Sequence, residues 1–222
     1  MRNDRHLAIK LRKEGKSYNK ISTDLGIPKS TMHYWFKNLL WSKKIKRNLT
    51  ERATQLAIKR MKIISQSNKR RWELWRKQFR INAKAEFNNL KGDPLFIAGL
   101  MLYWGEGDGN MKNEVRMANI DPRMIKLFNE FLIKICRVNK EEIYASLTLY
   151  PDLQEETCKI FWSRKTKIHL KQFSKSQFIY GKHPTKRLEN GICTIKVRKS
   201  RGLKEKIFVW ISLLSKNLAN SL

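Results

Sequence analysis

Acidic residues are scarce in this chain of 222 residues: Asp and Glu number 19, against 48 Lys and Arg, which gives a formal net charge of +29. This balance favours a polyanionic partner, either a nucleic acid or an anionic membrane surface. The surplus of positive charge is largest in residues 1–92, which contain 25 Lys and Arg but only 6 Asp and Glu.

Cysteines and long apolar runs are also scarce. The three cysteines, Cys136, Cys158 and Cys193, form no CxxC pair, which argues against a disulfide scaffold and a zinc site. No segment approaches the roughly 20 apolar residues that span a bilayer, and the charged N-terminus lacks a signal-peptide core. We therefore expect a soluble, reduced, cytoplasmic and nucleoid-associated protein with no membrane partner and no small-molecule cofactor.

Glycine and proline are absent between Trp41 and Lys91. Between Trp41 and Ala85 there are 15 Lys and Arg but only 2 Glu, and apolar residues recur at loose helical spacing. This predicts a basic helical linker at 42–92, as one helix or as two with a break near 65–67. It is either a solvated connecting helix or a helix laid along phosphates, with Lys69, Arg70 and Arg71 as candidate DNA contacts.

Glycine and proline do interrupt the helical pattern of residues 1–41, and this predicts three short helices. Ser17 is a candidate N-cap, Gly26 a C-terminal stop, and Pro28 opens the third helix. The spacing of five apolar residues predicts one small core: Ile21, Leu25, Ile27, Met32 and Trp35.

The stretch "LRKEGKSYNKISTDLGIPKSTMHYWFK" resembles the helix-turn-helix of resolvases, invertases and transposase-like proteins. The resemblance implies that 1–41 is a DNA-binding domain whose third helix enters the major groove. The alternative is a small helical bundle with no role in DNA binding. Short polar and cationic side chains on that helix are the candidate contacts with DNA: Lys29, Ser30, Thr31, His33, Tyr34 and Lys37.

Residues 93–222 mix helical and strand-like patterns and predict an α+β domain with a small antiparallel sheet. A helix at 94–106 precedes the strand "EVRMANI", and the next helix has Asp121 as N-cap and Pro122 at its first position. Strands "EEIYASLTLY" and "GICTIKVRK" and a closing amphipathic helix follow. A basic stretch at about 165–190 is either a phosphate-tracking segment or a solvated loop.

The segment "IAGLMLYWGEGDG" resembles the LAGLIDADG motif of homing endonucleases, with Glu106-Gly107 at the closing acid-glycine pair and Gly105 at the small residue before it. In this family two motif helices meet, and each delivers one acid that binds divalent metal at the scissile phosphate. The resemblance implies a homodimer on double-stranded DNA, with Mg²⁺ held by Glu106 and Gly105 if the protein is catalytic and no cofactor otherwise. The motif residues expected at the dimer interface are Ala98, Gly99, Leu102 and Gly105.

Met101 and Trp104 depart from the motif, and the hairpin that follows it in the family is nearly absent. Glu106 is thus either a metal ligand or a local helix-end residue. In "CTIKVRKSR", alternation sets Lys196 and Arg198 on one face, with Lys196 a candidate catalytic residue near the phosphate and Arg198 a candidate DNA contact. Three functions follow: a Mg²⁺-dependent site-specific endonuclease, a non-cleaving regulator like sporulation-type regulators, or an RNA-binding protein.

Overall fold

The computed structural model describes residues 4–180 and 188–219, and the chain divides into two compact units, Met1–Trp72 and Glu73–Leu222. Together they form a mixed α+β protein in which the described residues contain eight α-helices and one four-stranded sheet.

The first unit contains three short helices: α1 at Arg5–Lys13, α2 at Tyr18–Leu25 and α3 at Lys29–Phe36. Ser17 caps α2, because its hydroxyl accepts a hydrogen bond from the main-chain N–H of Lys20 at 3.2 Å. Gly26 ends α2 with a φ of +63°, the left-handed conformation that glycine adopts without steric cost. Both boundaries were predicted from these residues.

The core of this unit differs from the prediction at one aromatic. Phe36 is buried in it, whereas Trp35 is only half-buried, because α3 turns the later of the two rings inward. The buried apolar residues are Ala8, Ile21, Ile27, Met32 and Phe36.

Helix α4 runs without interruption from Leu40 to Leu90, 51 residues, so of the two alternatives the single helix is observed. Serine and asparagine lower helix propensity only slightly, and no glycine or proline is present to end the helix. The predicted linker therefore contributes to both units: the boundary falls at Trp72 and Glu73, and Ala83 and Phe87 lie in the core of the second unit.

The second unit alternates helices with single strands. A π-helical turn at Phe131–Ile135 continues the helix Pro122–Glu130. The elements after α4 are α5 (Pro94–Glu106), β1 (Arg116–Asn119), α6 (Pro122–Glu130), β2 (Ile143–Leu149), α7 (Glu155–Thr166), β3 (Gln177–Phe178), β4 (Ile192–Val197) and α8 (Arg201–Ala219).

The sheet has the strand order β1-β4-β2-β3. Strand β4 is antiparallel to both β1 and β2, as expected, but β3 pairs parallel with β2, so the sheet is mixed. Helix α7 lies between β2 and β3 in the chain and supplies the long crossover that a parallel pair requires.

The core of the second unit lies beneath one face of the sheet. Alternate strand residues point inward, and large aromatic side chains from the helices fill the space below them. The largest of these buried rings are Phe96, Phe128, Phe131, Trp162 and Trp210. The other face of the sheet carries the more exposed position of each strand pair.

All three cysteines are free thiols. Burial raises the pKa of Cys193 to about 12, so this thiol is kept in its unreactive protonated form. Among the residues that the structure describes, no helix combines the length and apolarity needed to cross a bilayer.

Candidate nucleic-acid interface

The polar face of the sheet carries a row of three aligned side chains. In the strand register, Arg116 on β1 lies opposite Lys196 on β4, and Lys196 lies opposite Tyr144 on β2. All three alternate with buried neighbours, so their side chains leave on the polar face. A second row beside it consists of the small residues Ala118, Thr194 and Ser146. Their short side chains leave room for a ligand to come close to the sheet.

Two cations flank the ring of Tyr144. The Lys196 ammonium lies 5.8 Å and the Arg198 guanidinium 5.4 Å from the ring centroid, both within the range of cation–π attraction. The Tyr144 hydroxyl donates to a carboxylate oxygen of Glu114 at 3.2 Å. Because one ring orients both cations, their positions are set before any ligand arrives.

The electrostatic setting of Lys196 is unusual for a surface lysine. Burial lowers its pKa, the positive charge of Arg116 acts in the same direction, and Glu114 opposes them. An anion bound next to this half-buried lysine would stabilise its protonated form against both burial and the charge of Arg116. The predicted alternation, which sets Lys196 on the face opposite Ile195 and Val197, is observed.

Glu106 is the last residue of α5, and the next residue, Gly107, forms an isolated antiparallel bridge with Met117 of β1. Gly107 has no space for a side chain, since a Cβ there would lie 2.3 Å from the main-chain oxygen of Tyr103. The glycine thus lets the chain pass directly from the motif helix, which ends at Glu106, to the edge of the sheet.

Asp108, two residues later, is fully engaged. Its carboxylate accepts hydrogen bonds from the Asn110 N–H at 2.7 Å, from Asn113 at 2.8 Å and from Arg116. Burial would raise the pKa of this carboxyl, but these bonds together with the Lys204 charge outweigh it and lower the pKa to about 2. Asp108 is a structural turn residue, as its position beside Gly109 suggested.

Glu106 contrasts with Asp108, because its side chain is exposed and has no hydrogen-bond or ion-pair partner among the described residues. Mg²⁺ prefers carboxylate and carbonyl oxygens, which Glu106 and the main chain of Gly105 offer. The described residues contain no group of three or more His, Cys, Asp and Glu placed to hold a metal.

The outer side of α5 forms an apolar groove with α6. Met101 and Trp104 are 45% and 53% exposed, far more than is usual for apolar side chains of a packed helix. The groove has a volume of about 640 Å³ and is lined by Ala98, Met101, Leu102, Gly105, Glu106, Asp121, Arg123, Met124 and Leu127.

The four predicted interface positions of α5 divide into two groups. Ala98 and Leu102 are half-buried and Gly105 is exposed, so all three remain accessible from the groove. Gly99 is buried, and a Cβ at this position would lie 2.2 Å from the ring of Phe131. We therefore correct the role of Gly99: its small size admits Phe131 of the same chain.

In the first unit, α3 presents the residues predicted to contact DNA. Lys29, Ser30, His33, Tyr34 and Lys37 are exposed, and Thr31 is half-buried. The Lys37 ammonium lies 5.4 Å from the centre of the Tyr34 ring, which joins the two side chains into one polar surface. His33 also lines a groove of about 630 Å³ against α4.

Three of the cations of α4 that were predicted to contact DNA are open to solvent. Lys69, Arg70 and Arg71 are all exposed, and Arg71 donates to the side-chain oxygen of Asn68 at 3.2 Å. Among the described residues none of the three pairs with a carboxylate. Their charges are therefore available to phosphates, as contact with a nucleic-acid backbone requires.

The basic stretch at 165–190 is described only in part, since 181–187 and the predicted contacts Lys182, Lys186 and Arg187 lie outside the described residues. Its remaining lysines are exposed: Lys165, Lys167, Lys171 and Lys175. His169 and Gln172 close a capping box around a short 3₁₀ turn at Leu170–Gln172, so this part of the segment has a defined fold.

Two members of the sheet-face row were missed from the sequence. Arg116 and Tyr144 received no functional role, although the alternation in "EVRMANI" and "EEIYASLTLY" already puts each on a polar face. What alternation does not reveal is the register that brings them beside Lys196.

Comparison with known proteins gives no relative. No family model, curated protein or solved structure matches the chain. The function is therefore inferred from the arrangement of its own residues.

Proposed function

We propose that this chain is a DNA-binding protein that acts as a homodimer and cleaves duplex DNA at specific sites in a Mg²⁺-dependent manner. The observation that carries the proposal is the state of Glu106: it is exposed and unpaired at the end of α5, in a unit whose sheet face carries the cations Arg116 and Lys196. A free carboxylate beside a bound polyanion is electrostatically unfavourable unless a metal bridges them.

DNA binding itself has broader support than cleavage. The net charge of +29 favours a polyanion, and α3 offers exposed polar and cationic residues at the end of a helix-turn-helix-like unit. The sheet face adds a second basic surface. The two surfaces have different roles: α3 contacts base edges, and the sheet contacts the backbone and neighbouring bases.

The homodimer follows from the exposed apolar groove of α5 and α6. Soluble proteins rarely leave a contiguous apolar surface uncovered, and a second copy of α5 has the small residues Ala98 and Gly105 that allow close helix contact. A twofold arrangement also supplies a second Glu106, which provides the oxygen ligands that one chain lacks.

One observation favours a second candidate, a non-cleaving regulator. The only other carboxylate of the motif, Asp108, is fully engaged, so within the described residues of one chain Glu106 is the motif's single free acid. In this alternative α5 retains the dimer contact and the sheet docks on DNA without metal chemistry.

Cleavage of genomic DNA by the purified protein with Mg²⁺ tests the proposal, with Glu106→Gln as the decisive variant. We expect cutting by the wild type, loss of at least about a hundredfold in rate for Glu106→Gln, and unchanged binding affinity, because a metal ligand contributes mainly to the transition state. Glu156→Gln, which removes an exposed carboxylate of α7, is the matched control and should cut normally.

The outcomes separate the two candidates. Binding without cutting by both wild type and Glu106→Gln, with no Mg²⁺ requirement, supports the regulator. Stronger binding to structured RNA than to duplex DNA at equal salt concentration overturns both and supports an RNA-binding protein.

A further inference from the structure

A further groove lies at the side of the sheet, next to Tyr144. It has a volume of about 370 Å³ and is lined by the beginning of β2, the residue that follows β4 and the 3₁₀ turn of the basic stretch. We call it the lateral groove and define it by Lys140, Tyr144, His169, Lys171, Gln172 and Arg198.

The lateral groove is cationic. Lys140, Lys171 and Arg198 carry fixed positive charges, whereas Glu141 is the one acid among its lining residues. In the part of the chain that the structure describes, none of these three cations pairs with a carboxylate. Three cations gathered around one concave surface repel each other, so an anion in the groove is favoured.

Hydrogen bonds hold the walls of the groove in place. The Gln172 side-chain amide donates to the main-chain oxygen of Ile143 at 2.6 Å, and its oxygen accepts from the His169 N–H at 3.0 Å. The His169 ring accepts from the Lys171 N–H through Nδ1 at 3.2 Å, which leaves Nε2 free to donate to a ligand. This is a built surface, unlike a solvated run of lysines.

The lateral groove is continuous with the sheet-face row. Tyr144 belongs to both, and its ring has Lys196 of the row on one side and Arg198 of the groove on another, at 5.8 Å and 5.4 Å. Lys196 and the groove cations Arg198, Lys140 and Lys171 therefore form one positively charged surface next to Tyr144, whereas Arg116 on the edge strand is paired with Asp108. The backbone of a nucleic acid presents a matching line of negative charge.

We propose that the lateral groove binds the phosphate backbone of duplex DNA next to the segment that lies on the sheet. This inference rests on the proposed DNA-binding function and extends its surface by a phosphate-contacting site beside the sheet-face row. Lys140, Lys171 and Arg198 contact phosphate oxygens and His169 donates a hydrogen bond, so the groove adds affinity and register and leaves base recognition unchanged.

The test measures how duplex affinity depends on salt concentration. Removal of one lysine–phosphate interaction should reduce the slope of log K against log salt by about 0.9. We therefore expect the double variant Lys140→Gln, Lys171→Gln to lower the slope by roughly 2 on a mixed-sequence DNA duplex. The matched control Lys126→Gln, Lys216→Gln removes the same charge from exposed positions on α6 and α8 and should change the slope by much less.

Each outcome decides a different point. Slopes that are equal for the groove variant and the control overturn the inference while leaving DNA binding intact. Absence of wild-type binding to any duplex overturns the proposed function and this inference together. A groove variant that weakens binding to structured RNA more than to duplex DNA assigns the groove to RNA and also overturns the inference. All four lysines are exposed, so each variant is expected to keep the wild-type circular dichroism spectrum and midpoint of thermal unfolding.

Discussion

The ammonium group of Lys204 donates a hydrogen bond to the main-chain oxygen of Asn110 at 2.8 Å, although the lysine side chain has no exposed surface. The donor lies in the first turn of α8 and the acceptor in the loop that leaves α5. The same nitrogen lies 3.4 Å from the main-chain oxygen of Glu114 and 3.9 Å from a carboxylate oxygen of Asp108. One buried cation thus fixes the loop between Glu106 and the sheet-face row.

Replacement of this cation should destabilise the second unit. Lys204→Met removes the hydrogen bonds that the buried ammonium donates to the part-buried main-chain oxygens of Asn110 and Glu114, and a hydrogen bond to a charged group contributes about 1.5–3 kcal/mol. We expect the free energy of unfolding, measured by urea denaturation, to fall by at least about 1 kcal/mol. Lys126→Met, at an exposed position of α6, should stay within about 0.5 kcal/mol of the wild type. Equal stability of both variants would show that the loop does not depend on Lys204.

The two glycines of α5 should respond oppositely to substitution. Gly99→Ala drives a methyl group into the ring of Phe131, 2.2 Å away, and should cost about 1–3 kcal/mol of stability through overpacking. Gly105→Ala meets no atom within 4 Å and should raise stability by about 0.5–1 kcal/mol, because alanine favours the helix. Thermal unfolding of the two variants provides the comparison, and a stable Gly99→Ala protein would contradict the packing described for Phe131.

Much of the fold was predictable because its signals are local. Ser17, Gly26 and Asp121 act within one turn of their own positions, so cap and stop residues predicted the boundaries of α2 and α6. The orientation of Lys196 followed from strand alternation. Of the two alternatives for 42–92, one helix or two, the single helix is observed, because clustered serines are weak helix breakers without glycine or proline.

The remaining features depend on long-range pairing, which one sequence does not reveal. The parallel pairing of β3 with β2 and the burial of Gly99 under Phe131 join segments with no common periodicity. The same holds for the register of Arg116 and Tyr144 beside Lys196. The candidate site was therefore found as separate residues, and the structure supplies the rows and grooves that connect them.

The low pKa of Asp108 predicts a loss of stability in acid. A carboxyl whose folded pKa is about 2 stabilises the fold above its unfolded pKa, and that contribution disappears as the pH falls towards 2. We expect the difference in stability between the wild type and Asp108→Asn to be constant near pH 7 and to shrink between pH values of about 4 and 2. Chemical denaturation across this range measures it. A difference that stays constant down to pH 2 would mean that the bonds from Asn113 and Arg116 do not favour the ionised form.

Self-association through the groove of α5 and α6 should be sensitive to a single charge. Met101 is 45% exposed at the middle of this groove, and Met101→Glu would bury an unpaired carboxylate in a dimer formed there while remaining solvated in the monomer. A penalty of about 1.4 kcal/mol already weakens the dimer tenfold, so we expect at least a tenfold higher dissociation constant by sedimentation equilibrium. Ile160→Glu, at a 39% exposed apolar position of α7, controls for the loss of surface hydrophobicity and should dimerise like the wild type. If both variants dimerise normally, the groove is not the contact surface, and Glu106 of a second copy cannot complete the metal site by this route.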